Sequence, residues 1–456
     1  MISSGTSAVQ LEDTIVALAS APGRGAIALV RLSGQQAFSI AAMLLRVSPQ
    51  EPRIAHLCDL FDGEEKLDQG LVTLFPGPHS FTGDDTVEFS IHGGHLVSSS
   101  VIAALISSGA RQATPGEFTR RAVLNGKLDI LQAEAIGDLI DASSHIMRRT
   151  ALSQLDGGLS RRLLKLRSDL IGLEALIAYD VDFPEEDDGP VPRKKIDKTA
   201  EEIAGSLEVL ISTGPAGEVI REGAIVVIAG PTNAGKSSLF NALLGRARAI
   251  VTEIPGTTRD ALEAVIDSGK WPLRLVDTAG LRETEDRIER LGIEVSQRYL
   301  SSAAVVLACG EDSRSLEETV SVVSRVSTAP VVAVHTKTDL VSTRDEVPIP
   351  GAIPVSAETG AGLQDLLRAI NETLDARHGQ VVPDLPILTR ARHRKALEIA
   401  RSELEQFRNV WGEEKLPVTV IAVHLRTAVH ALEELIGAVE IEDVLDRVFS
   451  SFCVGK

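Results

Sequence analysis

Cysteine is scarce. Cys58, Cys309 and Cys453 are the three in 456 residues, an odd number at unrelated spacings, which excludes a disulfide framework or a zinc site and predicts reduced thiols. No stretch of about 18 uncharged apolar residues is present to span a bilayer. The opening MISSGTSAVQLEDTIVALAS lacks the basic start, apolar run and small-residue cleavage site of a secretion signal. A cytoplasmic chain with no membrane partner is expected. Positive charge is also in deficit, with 46 Lys and Arg against 64 Asp and Glu and a formal charge of −18. That argues against broad attraction to polyanions, because phosphate contacts need clustered cations. Any nucleic-acid contact must be local, and the candidates are Arg148 with Arg149, the run Arg161 to Arg167 (RRLLKLR), and Arg390 to Arg394 (RARHR). Each also reads as a solvated helix face.

What remains is ordinary globular material, 44% hydrophobic and 24% charged. At a prior of about 150 residues per domain, the length suggests three units. TIVALAS and AIALVRLSG between residues 13 and 33 read as strands joined by the turn-forming APGRG. Further strands fall at Gly70–Phe75 and Thr86–Ile91, with helices at 35–46 and 95–108, making an α+β unit over residues 1–122. Thr114-Pro115-Gly116-Glu117 carries the signals of a helix start: a capping hydroxyl, a proline and a glutamate three residues on. From Leu128 to about Ile177 apolar residues recur at helical spacing, as in Leu159, Leu163, Leu166, Leu170 and Leu173, and another helix is expected at 195–212. Residues 123–220 and 379–456 therefore read as two parts of one all-α domain. Between them, at 221–378, strands alternate with helices in the manner of a parallel sheet.

The inserted segment carries the chemistry. Ala224–Ala229 (AIVVIA) is a buried-strand run, Gly230 to Ser237 (GPTNAGKS) matches GxxxxGK[ST], and a helical pattern continues from Ser238. The glycines let backbone N–H groups wrap phosphates, Lys236 reaches the β- and γ-phosphates, and the Ser237 hydroxyl ligates magnesium. Asn233, Ala234, Gly235 and Ser238 complete this loop. Within Thr252-Glu253-Ile254-Pro255-Gly256-Thr257-Thr258, Thr258 is the hydroxyl best placed to finish the magnesium shell. The strand PLRLV leads into Asp277-Thr278-Ala279-Gly280, where Asp277 can hold magnesium through water and the Gly280 N–H can contact the γ-phosphate. The strand Val331–Val334 leads to Thr336-Lys337-Thr338-Asp339, and Ile353–Val355 to Ser356-Ala357-Glu358. An aspartate accepting from guanine N1–H and the exocyclic amine selects guanine, since adenine lacks that donor pair. These two segments resemble the guanine motifs of Ras-like GTPases, with Thr336 where Asn is usual. Leu281 stands after DTAG, where Ras-type enzymes place a water-orienting Gln, so another side chain must act; Glu283, Glu285, Asp286 and Glu289 are the candidates.

GxxNxGKSS, GTTRD, DTAGLRExxDxIExxGI and the terminal FCVGK resemble the MnmE (TrmE) family of tRNA modification GTPases. So do FPGPHSFTGDD at 75–85, TPGEFTRRA at 114–122 and LNGKLD at 124–129, which extends the resemblance over the whole chain. It implies an N-terminal α+β domain for folate binding and dimerisation, a central helical domain, and a Ras-like α/β P-loop G domain inserted into it. It implies a homodimer and potassium-dependent GTP hydrolysis, with Asn233, Thr252, Ile254 and Thr257 around the potassium ion and Glu289 positioning water. A cation there would replace the arginine that other GTPases insert, worth about 10³ to 10⁵ in rate. Arg31, Glu88, Lys127 and Lys456 would contact a tetrahydrofolate derivative, 5-formyl- or 5,10-methylene-tetrahydrofolate, and Cys453 would be a reactive thiol. The implied partners are tRNA and an FAD-dependent protein, MnmG (GidA), in a heterotetramer or larger complex that modifies C5 of the wobble uridine. A ribosome-assembly GTPase is the rival reading, but no GXXG-type RNA clamp follows the G domain.

Overall fold

In the computed structural model, the residues described are 13–182, 192–246, 262–277, 299–340, 350–379, 386–413 and 417–437, with Phe452 and Gly455. The chain divides into two units, Met1–Gly137 with Glu433–Lys456, and Asp138–Leu432.

The first unit is built on a six-stranded sheet: β1 (Ile15–Leu18), β2 (Ile27–Ser33), β3 (His56–Asp62), β4 (Glu65–Phe75), β5 (Thr86–His92) and β6 (Arg111–Gln112), in spatial order β3-β4-β5-β2-β1-β6. All pairings are antiparallel except β1 with β6. Helices α1 (Ala37–Leu44) and α2 (His95–Ser107) pack on it, burying Ile40, Leu44, Val101 and Leu105 against Val30, Leu32, Val87 and Phe89. The remaining helices are α3 (Glu117–Leu124) and the start of α4 (Ile130–Ile140). Strand β3 escapes the sequence reading because Leu60 alone of its seven residues is buried, which leaves no alternation to detect. The C-terminal tail docks here: Phe452 packs beside Ile130 and Val123, and a Cβ on Gly455 (φ 101) would meet the Leu18 carbonyl oxygen at 2.0 Å.

Helix α3 begins at Glu117, after Gly116 in the left-handed region (φ 68), rather than at Pro115. The Glu117 carboxylate does return to the Thr114 N–H, at 2.8 Å, as a capping box requires. It also receives Arg111 at 2.6 Å and Arg121 at 3.0 Å. Arg121 in turn donates to the Asp13 carbonyl and carboxylate. Burial works against the charged form of Glu117, but the hydrogen bonds from Arg111, Thr114 and Arg121 outweigh it and hold the carboxyl below its usual range; Asp13 behaves likewise through Arg111 and Arg121.

The second unit opens with helices α5 (His145–Leu155), α6 (Gly158–Asp182), α7 (Arg193–Ser212) and α8 (Gly214–Glu222). After the sheet domain come α12 (Ala391–Glu413) and α13 (Val418–Ile436). The apolar stripe of α6 read from the sequence is inside, with Leu159, Leu163, Leu166, Leu170 and Leu173 all 0–1% exposed, each contributing about 1.5–3 kcal/mol by leaving water. Helices from both sides of the inserted domain join: Arg401 of α12 pairs with Glu208 of α7, and Arg426 of α13 with Glu174 of α6. The helical domain is therefore one body made from two sequence segments.

The insertion contains β7 (Ala224–Ala229), α9 (Lys236–Arg246), β8 (Leu262–Asp267), β9 (Pro272–Asp277), β10 (Val305–Gly310), α10 (Ser313–Val326), β11 (Val331–His335), β12 (Ile353–Pro354) and α11 (Leu363–His378). Its strand order is β12-β11-β10-β7-β9-β8. The sheet is parallel apart from β8, which runs antiparallel to β9 through the turn at Ser268–Trp271. The fold class is thus an N-terminal α+β domain, a helical domain and a Ras-like α/β G domain inserted into that helical domain. Among the described residues no helix is long and apolar enough to cross a membrane.

Candidate nucleotide site

Ligands of open parallel sheets lie beyond the carboxyl ends of the strands, and there the candidate residues gather. Strand β7 is central and buried, so the loop after it, Gly230–Gly235, starts from a rigid base. Gly230 is irreplaceable by geometry: a Cβ would come 2.6 Å from the Cys309 carbonyl oxygen on β10. Burial pushes the Cys309 thiol up to about 12, so it serves as packing behind the loop and not as a nucleophile. Asn233 (φ 64) and Gly235 (φ 78) both adopt the left-handed region, which turns successive N–H groups toward one anion-binding concavity. Lys236 opens α9 and its ammonium donates to the Pro231 carbonyl at 2.8 Å, arched over the loop it closes. Ser238 is exposed beside it.

The Ser237 hydroxyl donates to Asp277 Oδ2 at 2.7 Å, and Asp277 is fully buried at the end of β9. A hydroxyl and a carboxylate converging beside a phosphate loop form a hard-oxygen seat suited to magnesium. Replacing Ser237 by Ala should therefore raise the magnesium concentration needed for half-maximal turnover by roughly 10- to 100-fold, the size seen when a group that orients a metal site is removed. A magnesium titration of GTP hydrolysis measures this; an unchanged midpoint would remove Ser237 from the seat.

The base-side segments meet the same loop. The Thr336 hydroxyl donates to the Ala234 carbonyl at 2.8 Å and lies 3.2 Å from that of Gly310. Thr336 thus ties the base segment to the phosphate loop, a role for which a hydroxyl suffices. Lys337 (φ 56) lays its stem over Gly235 and pairs with Glu311 at 2.8 Å. Asp339 is exposed at the mouth, and its carboxylate accepts from the buried Ser356 hydroxyl at 2.6 Å. Ala357 and Glu358 lie in the turn that follows, closed by Thr359 N–H on Ser356 Oγ at 3.1 Å. Glu311 and Arg246, which donates to the Gly360 carbonyl at 2.7 Å, were not singled out from sequence. The available signal for Glu311 was its place just past the carboxyl end of β10.

In the first unit, Arg31 donates to Glu88 Oε1 at 2.9 and 2.7 Å, with its guanidinium 5.3 Å from the Phe81 ring centre and 5.8 Å from that of Phe118. Lys127 donates to the Pro78 carbonyl at 2.9 Å. Loop 76–85, which carries both Pro78 and Phe81, is held by Asn125 on the Thr82 carbonyl at 2.8 Å. Arg31, Glu88 and Lys127 thus frame one loop, with an aromatic face, a carboxylate acceptor and cations, a set chemically suited to an anionic heteroaromatic ligand.

Thr252, Glu253, Ile254, Pro255, Gly256, Thr257, Thr258, Thr278, Ala279, Gly280, Leu281, Glu283, Glu285, Asp286, Glu289, Cys453 and Lys456 lie outside the described residues.

Comparison with known proteins matches this arrangement. The GTP-binding protein TrmE N-terminus model matches residues 14–127, and the MnmE helical domain model residues 130–453. A tRNA modification GTPase MnmE of Moorella thermoacetica is 40% identical over 98% of this chain and 100% of its own length. That of Heliobacterium modesticaldum is 41% identical over 97% and 99%, and that of Aquifex aeolicus 37% identical over 98% and 100%. With both family models matched in order, the relatives aligned end to end and a phosphate-loop motif assembled beside Ser237, Asp277, Thr336 and Asp339 at the carboxyl ends of one sheet's strands, the chain belongs to the MnmE (TrmE) family of tRNA modification GTPases.

Proposed function

We propose that this protein is a potassium-dependent GTPase that works with an FAD-dependent partner, MnmG (GidA), to add an aminomethyl or carboxymethylaminomethyl group to C5 of the wobble uridine of certain tRNAs. The one-carbon unit comes from a methylene-tetrahydrofolate. The Ser237–Asp277 contact at 2.7 Å beside the phosphate loop is the observation that carries the GTPase part. End-to-end similarity to proteins named tRNA modification GTPases supports the tRNA part.

In this reading the loop N–H groups from Asn233 to Ser238 bind the phosphates, Lys236 leaves Pro231 for the β- and γ-oxygens, and Asp339 reads guanine. Ser237, Thr258 and Asp277 would hold magnesium, and Asn233, Thr252, Ile254 and Thr257 potassium; these cations would neutralise the negative charge that develops on the phosphoryl and leaving-group oxygens. Glu289 orients the attacking water, the task Leu281 is unable to perform. Arg31, Glu88, Lys127 and Lys456 hold the folate in a homodimer joined through the N-terminal units. Cys453 acts as a reactive thiol.

GTP turnover should be faster in potassium than in sodium at equal ionic strength, because sodium is too small for the same oxygen cage; equal rates would remove the potassium assignment. Incubation with the FAD-dependent partner, GTP, a methylene-tetrahydrofolate, an amine donor (ammonium or glycine) and unmodified tRNA should yield a C5-modified wobble uridine by mass spectrometry. An unchanged nucleoside profile would refute the tRNA assignment while leaving the GTPase standing.

A further inference from the structure

The three basic clusters of the sequence have different fates in the fold. Arg390 and Arg394, at the head of α12, are neutralised by Asp138 at 2.8 Å and Glu218 at 3.1 Å. Arg148, Arg161, Arg162 and Lys165 of α5 and α6 face no carboxylate among the described residues. Residues 141–169 carry six cations, Arg148, Arg149, Arg161, Arg162, Lys165 and Arg167, against three carboxylates, Asp141, Asp156 and Asp169, a local excess of positive charge in a chain of net charge −18. Arg148, Arg149, Arg161 and Lys165 are exposed, and Arg162 and Arg167 half-buried. Among the described residues Arg148, Arg162 and Lys165 make no ion pair, and Arg161 donates to the Asp156 backbone carbonyl at 2.6 Å, not to its carboxylate. Cations cost one another repulsion when grouped, so a grouping of this kind in an acidic protein favours an anionic partner.

The partner's chemistry can be narrowed. A membrane surface would need the apolar stripe of α6, but Leu159, Leu163, Leu166 and Leu170 are buried in the helical core. The exposed Leu152, Leu164 and Ile171 are single residues about two helical turns or more apart in sequence, too sparse to form an apolar stripe. Five of the six cations are arginine, whose planar fork matches phosphate oxygens in pairs. Arg148, Arg161, Arg162 and Lys165 are not among the residues that line the cavity over the nucleotide loop. We propose that Arg148, Arg161, Arg162 and Lys165 of α5 and α6 form an RNA-backbone contact surface through which this chain holds tRNA, an inference that rests on the tRNA-modification reading and assigns it a location.

The test uses the full-length protein and an unmodified tRNA transcript carrying a wobble uridine, with affinity measured from 50 to 200 mM KCl. The variant combines Arg148→Gln, Arg161→Gln, Arg162→Gln and Lys165→Gln; the control combines Lys198→Gln and Arg314→Gln, exposed cations elsewhere in the same unit. Each lost phosphate contact lowers the slope of log affinity against log salt by about one. The variant should thus lose roughly three of slope and at least about tenfold in affinity at low salt, with GTP turnover and the control unchanged. A folded variant with wild-type affinity and slope would overturn the proposal. So would retained tRNA binding with lost binding of a protein partner, which would reassign the surface to that protein. Should the combined variant misfold, Arg161→Gln and Lys165→Gln taken singly must each lower the slope by about one, and unchanged slopes overturn the proposal. Failure of the wobble-uridine assay is a separate result, because it tests the chemistry and not the contact.

Discussion

Asp339→Asn should convert the enzyme from guanine to xanthine preference. Guanine presents two adjacent donors to Asp339, its N1–H and exocyclic amine, and a carboxylate meets both as an acceptor. The Ser356 hydroxyl already donates to Asp339 Oδ1. In the variant that oxygen remains the acceptor for Ser356, so the new amide nitrogen faces the base and opposes the guanine amine. Xanthine has an oxygen there and gains a partner. Because a site built around specific hydrogen bonds penalises a mismatched ligand heavily, GTP affinity should fall by roughly 10² to 10⁴-fold, while xanthosine triphosphate becomes a substrate. Competition binding with both nucleotides measures the inversion. Retained GTP selectivity would show that another group reads the base.

The largest effect on stability is expected at Arg121→Leu. Arg121 is fully buried and Glu117 is 1% exposed; Arg121 pairs with Glu117 at 3.0 Å within α3 and joins that helix to the segment entering β1 by donating to Asp13. Removing one member of a buried charge network strands the others, at a typical cost of 3–5 kcal/mol. Arg111 still holds Glu117 and Asp13 in the variant, so about 3 kcal/mol is the better figure. Hydrogen exchange of the β1 and α3 amides at pH 7 should register this loss; an unchanged opening free energy would show that the cluster is dispensable. The acid limb carries a second signature. Glu117 and Asp13 have folded values depressed below their unfolded ones. Their stabilisation is therefore complete above about pH 4.5 and is lost as pH falls further, through the folded values. In Arg121→Leu the depression is smaller, so the acid-dependent loss should shrink in amplitude.

These two sites differ in how far they were legible. Asp339 stood out because the pattern that carries it is local: four consecutive residues after a strand, with no distant residue to be guessed. Its support by Ser356 and the link from Thr336 to Ala234, 102 residues apart in sequence, depend on β7, β10, β11 and β12 lying side by side. The Arg121 cluster was not legible for the same reason, since Asp13 and Arg111 meet only because β1 pairs with β6. Strand β8 was lost within an expected all-parallel sheet, because a hairpin turn at Ser268–Trp271 reverses it and its direction is invisible in apolar periodicity.

What the sequence determined by itself was the pattern carried by contiguous spacing: the phosphate loop from Gly230 to Ser237, and the segments at 277 and 336–339 to which magnesium and guanine contacts are proposed. These need only their own backbone conformation and a neighbouring strand, both of which short-range pattern encodes. Tertiary structure decided which charges remain available. Arg390 and Arg394 look as basic in sequence as Arg148 and Arg161, yet the fold places Asp138 and Glu218 against the former pair and no carboxylate among the described residues against Arg148. Neutralisation acts over a few ångströms in space, a distance that sequence separation does not measure.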